Sequence, residues 1–252
     1  MNSVLRKLIL VFLWLYVVHF TCPAQINWSK YEIGAQAGIM VYQGDLTPSA
    51  AGSFKTLKPQ LGFFASRILG NSFAVRVGLV FGGVKGDDAR YDKPAWRKER
   101  SFNFSSSVTE FSGMLVWNIL GKNNLEGRSG FSPYVMAGVG YSFLNIKRDW
   151  SRLNTTFYPA ESDLQAGLNE DIAHHLPKGI PVLPLGIGVR YSLSSKWSLS
   201  AESSYRHTFT DYLDGFSQSG NPKRNDHYYS HSLGVNYRLG RKSRLDCPVI
   251  RF

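Results

Sequence analysis

His207 is the residue best surrounded for chemistry. Ser203 and Ser204 precede it and Asp211 and Asp214 follow, so a hydroxyl, an imidazole and a carboxylate lie close together in the chain. Those are the ingredients of a serine hydrolase, in which the imidazole takes the hydroxyl proton and the carboxylate holds the ring. No nucleophile-elbow spacing accompanies them, and His207 shares parity with Trp197 and Tyr205, which lie on an apolar face. These residues read as the base of a loop. His174-His175 are adjacent and point apart in an extended chain, and a zinc site there needs two further ligands that the sequence does not supply. Asp87-Asp88, the run DYLDG and Asn225-Asp226 offer hard oxygens for calcium, but no EF-hand spacing, and read as solvated turns. There is no Gly-Lys-Ser/Thr phosphate loop and no dinucleotide motif. The expectation is a non-enzyme with no cofactor, metal or small-molecule substrate.

What positions these residues is set first by export. Arg6 and Lys7 precede LILVFLWLYVVHF, an apolar run of 13 residues, too short to span a bilayer but suited to a signal-peptide core. TCPA offers cleavage after Ala24, so residues 1–24 read as a signal peptide. Phe20 and Thr21 before Cys22 fit a lipobox poorly. Removing the two leader cations leaves 27 Lys and Arg against 18 Asp and Glu, a charge of about +9. An exported chain with that balance meets anionic lipid head groups and lipopolysaccharide phosphates rather than nucleic acid. Only Cys247 remains after cleavage, so no internal disulfide forms.

The mature chain alternates. In YEIGAQAGIMVYQGDL, Tyr31, Ile33, Ala35, Ala37, Ile39 and Val41 oppose Glu32, Gly34, Gln36, Gly38, Met40 and Tyr42, the period of a strand with one apolar face. Seven further runs follow, roughly 60–69, 72–82, 102–120, 134–143, 185–193, 197–206 and 232–239. The second is the least regular, because Phe64 and Ile68 fall on the other parity. Long and short connections alternate: long at 43–59, 83–101, 145–180 and 207–226, tight at Gly70-Asn71 and Ser194-Ser195-Lys196, intermediate at 121–131. This predicts an all-β fold, an eight-stranded antiparallel transmembrane β-barrel with four long extracellular loops and short periplasmic turns. A secreted β-sandwich or soluble barrel is the competing reading, since it too shows alternating strands.

The face turned to lipid follows from the other parity. Glu32, Arg76, Glu110, Arg190 and Glu202 sit there among many Gly and Ser, as a narrow barrel interior requires. An unpaired charge inside it would be costly, so the three acids should pair with Arg76, Arg190 and either Arg206 or Arg238, closing the lumen. Tyr31, Trp117, Tyr141, Tyr191, Trp197 and Tyr237 lie on the apolar parity as candidates for interfacial girdles. Lys93, Arg97, Lys98 and Arg100 form a basic cluster in the second long loop, solvated or facing lipopolysaccharide phosphates or an acidic partner. The barrel is expected over 25–240 and a periplasmic tail over 241–252, where Arg241, Lys242 and Arg244 are candidate partner contacts. Phe252 looks like the aromatic end that outer-membrane proteins present for assembly.

YEIGAQAGIMVYQGDL, GDDARYD, RSFNFSSSVTEFSGMLVWNIL, FTDYLDGFSQSGNPKRNDHYYSHSLGVNYRL and DCPVIRF together resemble the PorG-type outer-membrane barrels of the type IX secretion system. The resemblance covers nearly the whole mature chain and is most specific at YQGDL and TDYLDG…GNPKRND. It implies an OmpW-like eight-stranded barrel without enzymatic activity, in the outer membrane with both termini periplasmic. It also implies association with the periplasmic ring of that machine, built from a lipoprotein and its partner. The loop at 145–180 is longer than the resemblance leads one to expect. The alternative from the pattern alone is a general OmpW- or OmpX-like barrel, a channel or surface-binding protein.

Overall fold

The computed structural model describes residues 27–49, 52–121, 123 and 130–240. Eight strands run in chain order: β1 (Tyr31–Gln43), β2 (Lys58–Ile68), β3 (Phe73–Asp87), β4 (Asn103–Asn118), β5 (Phe131–Asp149), β6 (Gly179–Ser192), β7 (Trp197–Thr208) and β8 (His227–Arg238). Each pairs antiparallel with its neighbour, and β1 pairs with β8, closing the barrel. Closure removes the exposed edges that an open sheet would present. The connections at 44–57 (L1), 88–102 (L2), 150–178 (L3) and 209–226 (L4) are long and share one end; those at 69–72, 119–130 and 193–196 share the other. L2 carries a short helix, α1 (Trp96–Arg100), and L3 carries α2 (Asp163–Ala173).

The apolar parity faces outward. Val139, Leu233, Phe63, Phe111 and Ile187 are 65%, 72%, 54%, 56% and 63% exposed, a surface that water would penalise heavily at roughly 25 cal/mol per Å2. With a closed, ion-filled interior behind it, this belt defines a transmembrane barrel. At the short-turn end it finishes in an aromatic girdle: Phe73 stacks on Trp117 at 6.5 Å, and Phe131 meets Tyr191 at 4.9 Å and Trp197 meets Tyr237 at 4.8 Å with tilted rings. Tyr141 belongs instead to the middle of β5, opposite Phe111.

β3, β4 and β5 run past the limits that the alternation suggests. Along β4 the outward residues are apolar from Trp117 to Phe111 and polar from Thr109 to Asn103. Over the same stretch the inward residues change from a mixed set, Asn118, Ser112 and Glu110 with Val116 and Met114, to Val108 and Phe104. β3 does the same, with Lys85 and Asp87 on the outward parity while Val84 is fully buried, and β5 has Asn145 and Lys147 outside with Leu144 inside. Polarity therefore inverts within single strands. Beyond the inversion water replaces lipid outside, so the interior becomes an ordinary apolar core. Leu168 from α2 and Leu213 and Phe216 from L4 complete that core with Met40, Tyr42 and Phe102.

Candidate functional site: a lumen closed at two levels

Three ion pairs occupy the lumen within the belt. Nearest the short-turn end, Arg190 Nη2 donates to Glu32 Oε1 at 2.8 Å. Next, Arg76 Nη1 donates to Glu202 Oε1 at 2.6 Å. Highest, Arg206 donates to Glu110 through Nε at 3.1 Å and Nη2 at 3.3 Å. The sequence left the third cation open between Arg206 and Arg238; Arg206 takes it, and Arg238 donates instead to the carbonyl of Asn123. Tyrosines complete the shells, Tyr134 donating to Glu202 and Tyr228 donating to Glu110 at 2.9 Å.

Phe64, the residue that broke the second run's alternation, has a role in this network. Its ring lies 4.0 Å from the Arg76 guanidinium, with Tyr134 at 5.8 Å. A planar cation between aromatic faces is held by cation–π attraction as well as by its anion. Gly34 makes room for Phe64 and Gly188 for Tyr134, since a Cβ at either position would collide with the ring carbons. The small-residue pattern of the lumen thus fits particular bulky neighbours.

Above the ion pairs the long loops form a cap. Asp88 is fully buried and accepts from Arg97 Nη1 at 2.6 Å and from Arg100 Nε at 2.6 Å. The same arginines reach L1: Arg97 donates to the carbonyls of Asp45 at 2.9 Å and Thr47 at 3.0 Å, and Arg100 to that of Asp45 at 3.2 Å. This corrects two readings. Asp88 is no solvated turn, and half of the basic cluster is buried structure, leaving Lys98, paired with Asp92 at 2.6 Å, on the surface.

L4 contributes a second buried acidic group. The Tyr42 hydroxyl lies 2.6 Å from Asp226 Oδ1 and 2.7 Å from Asp214 Oδ2. A phenol has one proton to donate, so one carboxyl must keep its own proton and donate back. Burial pushes both carboxyls well above the usual range, reinforced for Asp226 by the charge of Asp214. Burial also pushes Asp211 up to about 7, against the pull of the Ser217 hydroxyl and with help from Asp45 and Asp171. Asp171 of α2 accepts from the backbone N–H groups of Ser217, Gln218 and Ser219 at 3.1, 3.0 and 2.9 Å, fastening L3 to L4.

His207 lies on the outer wall with Tyr205, its ring 4.8 Å from His227 and 5.0 Å from Phe209. Ser203 is paired across to His231. His174 ends α2 and stacks on Tyr212 at 3.9 Å. Among the described residues no group of three or more His, Cys, Asp or Glu is arranged to hold a metal. Residues 1–24, and Arg241, Lys242 and Arg244 with the rest of the tail, lie outside the described residues.

The fold and lumen define a transmembrane eight-stranded β-barrel with a sealed interior. The chain belongs to the family described as a domain of unknown function, DUF6089, whose model matches residues 6–243. No curated protein matches it. Solved structures similar to it include Neisserial surface protein A (14% identity, TM-score 0.43, 83% of this chain and 97% of that one). A major outer membrane protein from Thermus thermophilus is similar at 16% identity (TM-score 0.42, 82% and 98% covered). Ail, the attachment invasion locus protein of Yersinia pestis, is similar at 11% (TM-score 0.41, 82% and 98% covered). The assignment of the barrel rests on this chain's own strand pairing.

Proposed function

We propose that the chain is a non-conducting, non-enzymatic anchor in the outer membrane, coupling the periplasmic ring of the type IX secretion machinery to that membrane. The long loops face outside and both termini face the periplasm. The observation that carries this reading is the double closure of the lumen, by paired ions within the belt and by a packed cap of long loops above it. A barrel sealed twice has no route for ions or cargo, so its use lies in its faces. The resemblance to PorG-type barrels supplies the machine. Charge at the short-turn rim agrees with it: Lys30, Arg67, Lys196 and Arg238 gather there, and Glu32, the sole described acid at that end, is already paired with Arg190. A basic rim suits an acidic periplasmic surface.

The test is in-cell photo-cross-linking from Lys30 and Lys196, with Lys98 in L2 as the opposite-side control. Cross-links to ring proteins from the first two alone, and loss of export of proteins with a C-terminal sorting domain in a null strain, are expected. Normal secretion by the null strain would overturn the proposal. A current through the purified barrel in planar bilayers would favour the channel form of a general OmpW- or OmpX-like protein.

A further inference from the structure

L1 does not stay on top of the barrel. It folds down the outer wall, covering Val41, which is 1% exposed although it has outward parity. Phe54 of L1 stacks on His231 of β8 at 5.8 Å. Between this flap, the end of L4 and the outer faces of β7 and β8 lies a polar pocket of about 310 Å3. Thr47 and Ser49 line it from L1, Arg224 and Asn225 from L4, and His227 and Tyr205 from the wall. No carboxylate is among its lining residues, and Arg224 makes no ion pair within 4 Å among the described residues, although its charge acts on Asp45 outside the lining. Asp45 and Asp226 lie nearby behind Gly44 and Gly220, held by Asn221 and Tyr42.

Tyr205 also borders a second hollow. An apolar groove of about 610 Å3 runs over the lipid-facing wall from Tyr205 and Tyr229, past Leu185 and Ala137, to Leu115 and Trp117 near the girdle. A polar recess with a cation at the edge of the belt therefore adjoins, at Tyr205, an apolar groove on the wall within it. That is the outline of one amphiphile.

We propose that this pocket and the groove that adjoins it at Tyr205 bind a phosphorylated membrane lipid from the leaflet at the long-loop end. Its phosphate lies against Arg224, the Ser49 hydroxyl and the Asn225 amide, and an acyl chain lies in the groove over Ala137. Charge-assisted contact to the guanidinium orients the head group, and the groove adds apolar burial within an environment that is itself apolar, so the head group supplies most of the selectivity. The inference takes from the functional reading only that the barrel lies in a bilayer; cross-linking to the periplasmic ring could fail without affecting it.

The experiment uses the full mature chain in nanodiscs of phosphatidylcholine doped with lipid A, with retained lipid counted by native mass spectrometry after detergent extraction. One lipid A per chain is expected, and dephosphorylated lipid A is not retained. Arg224→Glu lowers retention by about tenfold, the change expected when a charge-assisted contact becomes repulsive. Ala137→Trp, which fills the groove from the lipid side, lowers it as well, while Lys196→Glu at the opposite rim leaves it unchanged. Both key positions face outward, and folding of each variant is checked by heat-modifiable gel mobility. Retention unchanged in Arg224→Glu and Ala137→Trp, equal loss in Lys196→Glu, or displacement of the lipid by inorganic phosphate would each overturn the proposal, the last by making the pocket an ion site only.

Discussion

The Arg76–Glu202 pair gives the sealed lumen its sharpest test. Arg76 is 1% exposed and Glu202 8%, and their charged atoms are 2.6 Å apart. Replacing Arg76 by Met strips the cation from a carboxylate that keeps the Tyr134 hydroxyl and the field of Arg190. Breaking a buried pair from one side costs about 3–5 kcal/mol, and those remaining partners put Arg76→Met near the lower bound, about 3 kcal/mol. Glu202 without Arg76 keeps the Tyr134 hydroxyl, whereas Glu202→Met leaves the guanidinium with Phe64, the Ser66 hydroxyl at 3.4 Å, the Met136 sulfur at 3.8 Å and only the field of Glu32, with no anion bonded to it. Its cost should be larger, about 4 kcal/mol.

The double variant Arg76→Met/Glu202→Met removes both charges and fills the space with flexible apolar chains. Exchanging a whole buried pair for apolar groups is often close to neutral, so the double should lie within about 1 kcal/mol of the parent rather than near the additive loss of about 7. Urea unfolding in phospholipid vesicles, followed by tryptophan fluorescence, measures all four corners of the cycle. Should Arg76→Met alone cost under about 1 kcal/mol, the two charges are solvated by water and the lumen is not closed at this level. Should the double be as unstable as the sum, the pairing of the charges is not what the site provides.

Two further outcomes follow from the cap and the belt. Asp211, Asp214 and Asp226 all have folded-state values above those of the unfolded chain, so their contribution is fully present below the ordinary aspartate range near 3.9 and is lost as pH rises through the folded values. Opening of L4, read by hydrogen exchange of residues 209–226 after correction for intrinsic rates, should therefore increase between about pH 4 and pH 8. Asp211→Asn should flatten its step near 7; a cap that loosens toward acid would contradict the assignment. On the belt, Leu233 is 72% exposed, and Leu233→Arg should cost about 2–4 kcal/mol in a bilayer. A soluble sandwich would register almost nothing at such an exposed position, so an unchanged unfolding midpoint would remove the membrane from the account.

Most of the barrel can be read from alternation because two rules coincide: side chains change face at every residue, and lipid demands one apolar face. The lumen charges were legible for the same reason. Glu32, Arg76, Glu110, Arg190 and Glu202 could face inward only toward one another, although which arginine met Glu110 depended on strand stagger that no spacing reveals. Phe64 looked like noise in the second run, because the space left for it by Gly34 lies on another strand. The loop acids were harder. Asp88 in GDDAR reads as a surface turn until Arg97 and Arg100 arrive from α1 on both sides of it, and no local pattern announces a contact made through tertiary closure. Arg224 and Tyr205 likewise come to border one pocket with Thr47 and Ser49 of L1 only in the folded barrel.

The strand lengths carried a signal that simple parity hides. On β4 the outward apolar series Trp117, Leu115 and Phe111 stops at Thr109, while the inward parity, mixed from Asn118 to Glu110, turns to Val108 and Phe104 of the larger core. Taken alone, such a change looks like the end of a strand, since a one-residue slip in a half-buried sheet turns every side chain over. Here the backbone runs straight through and the surroundings change instead, from lipid outside to water outside. β3 inverts near Phe81 to Val84 and β5 near Phe143 to Leu144, so the three reversals mark one boundary of the bilayer around the barrel. That boundary lies where the ion pairs give way to the apolar cap. The two closures therefore meet at one level: behind the greasy belt the lumen holds its three ion pairs, and above it, where water lies outside, the larger apolar core packs around the buried Asp88 cluster and the L4 acids.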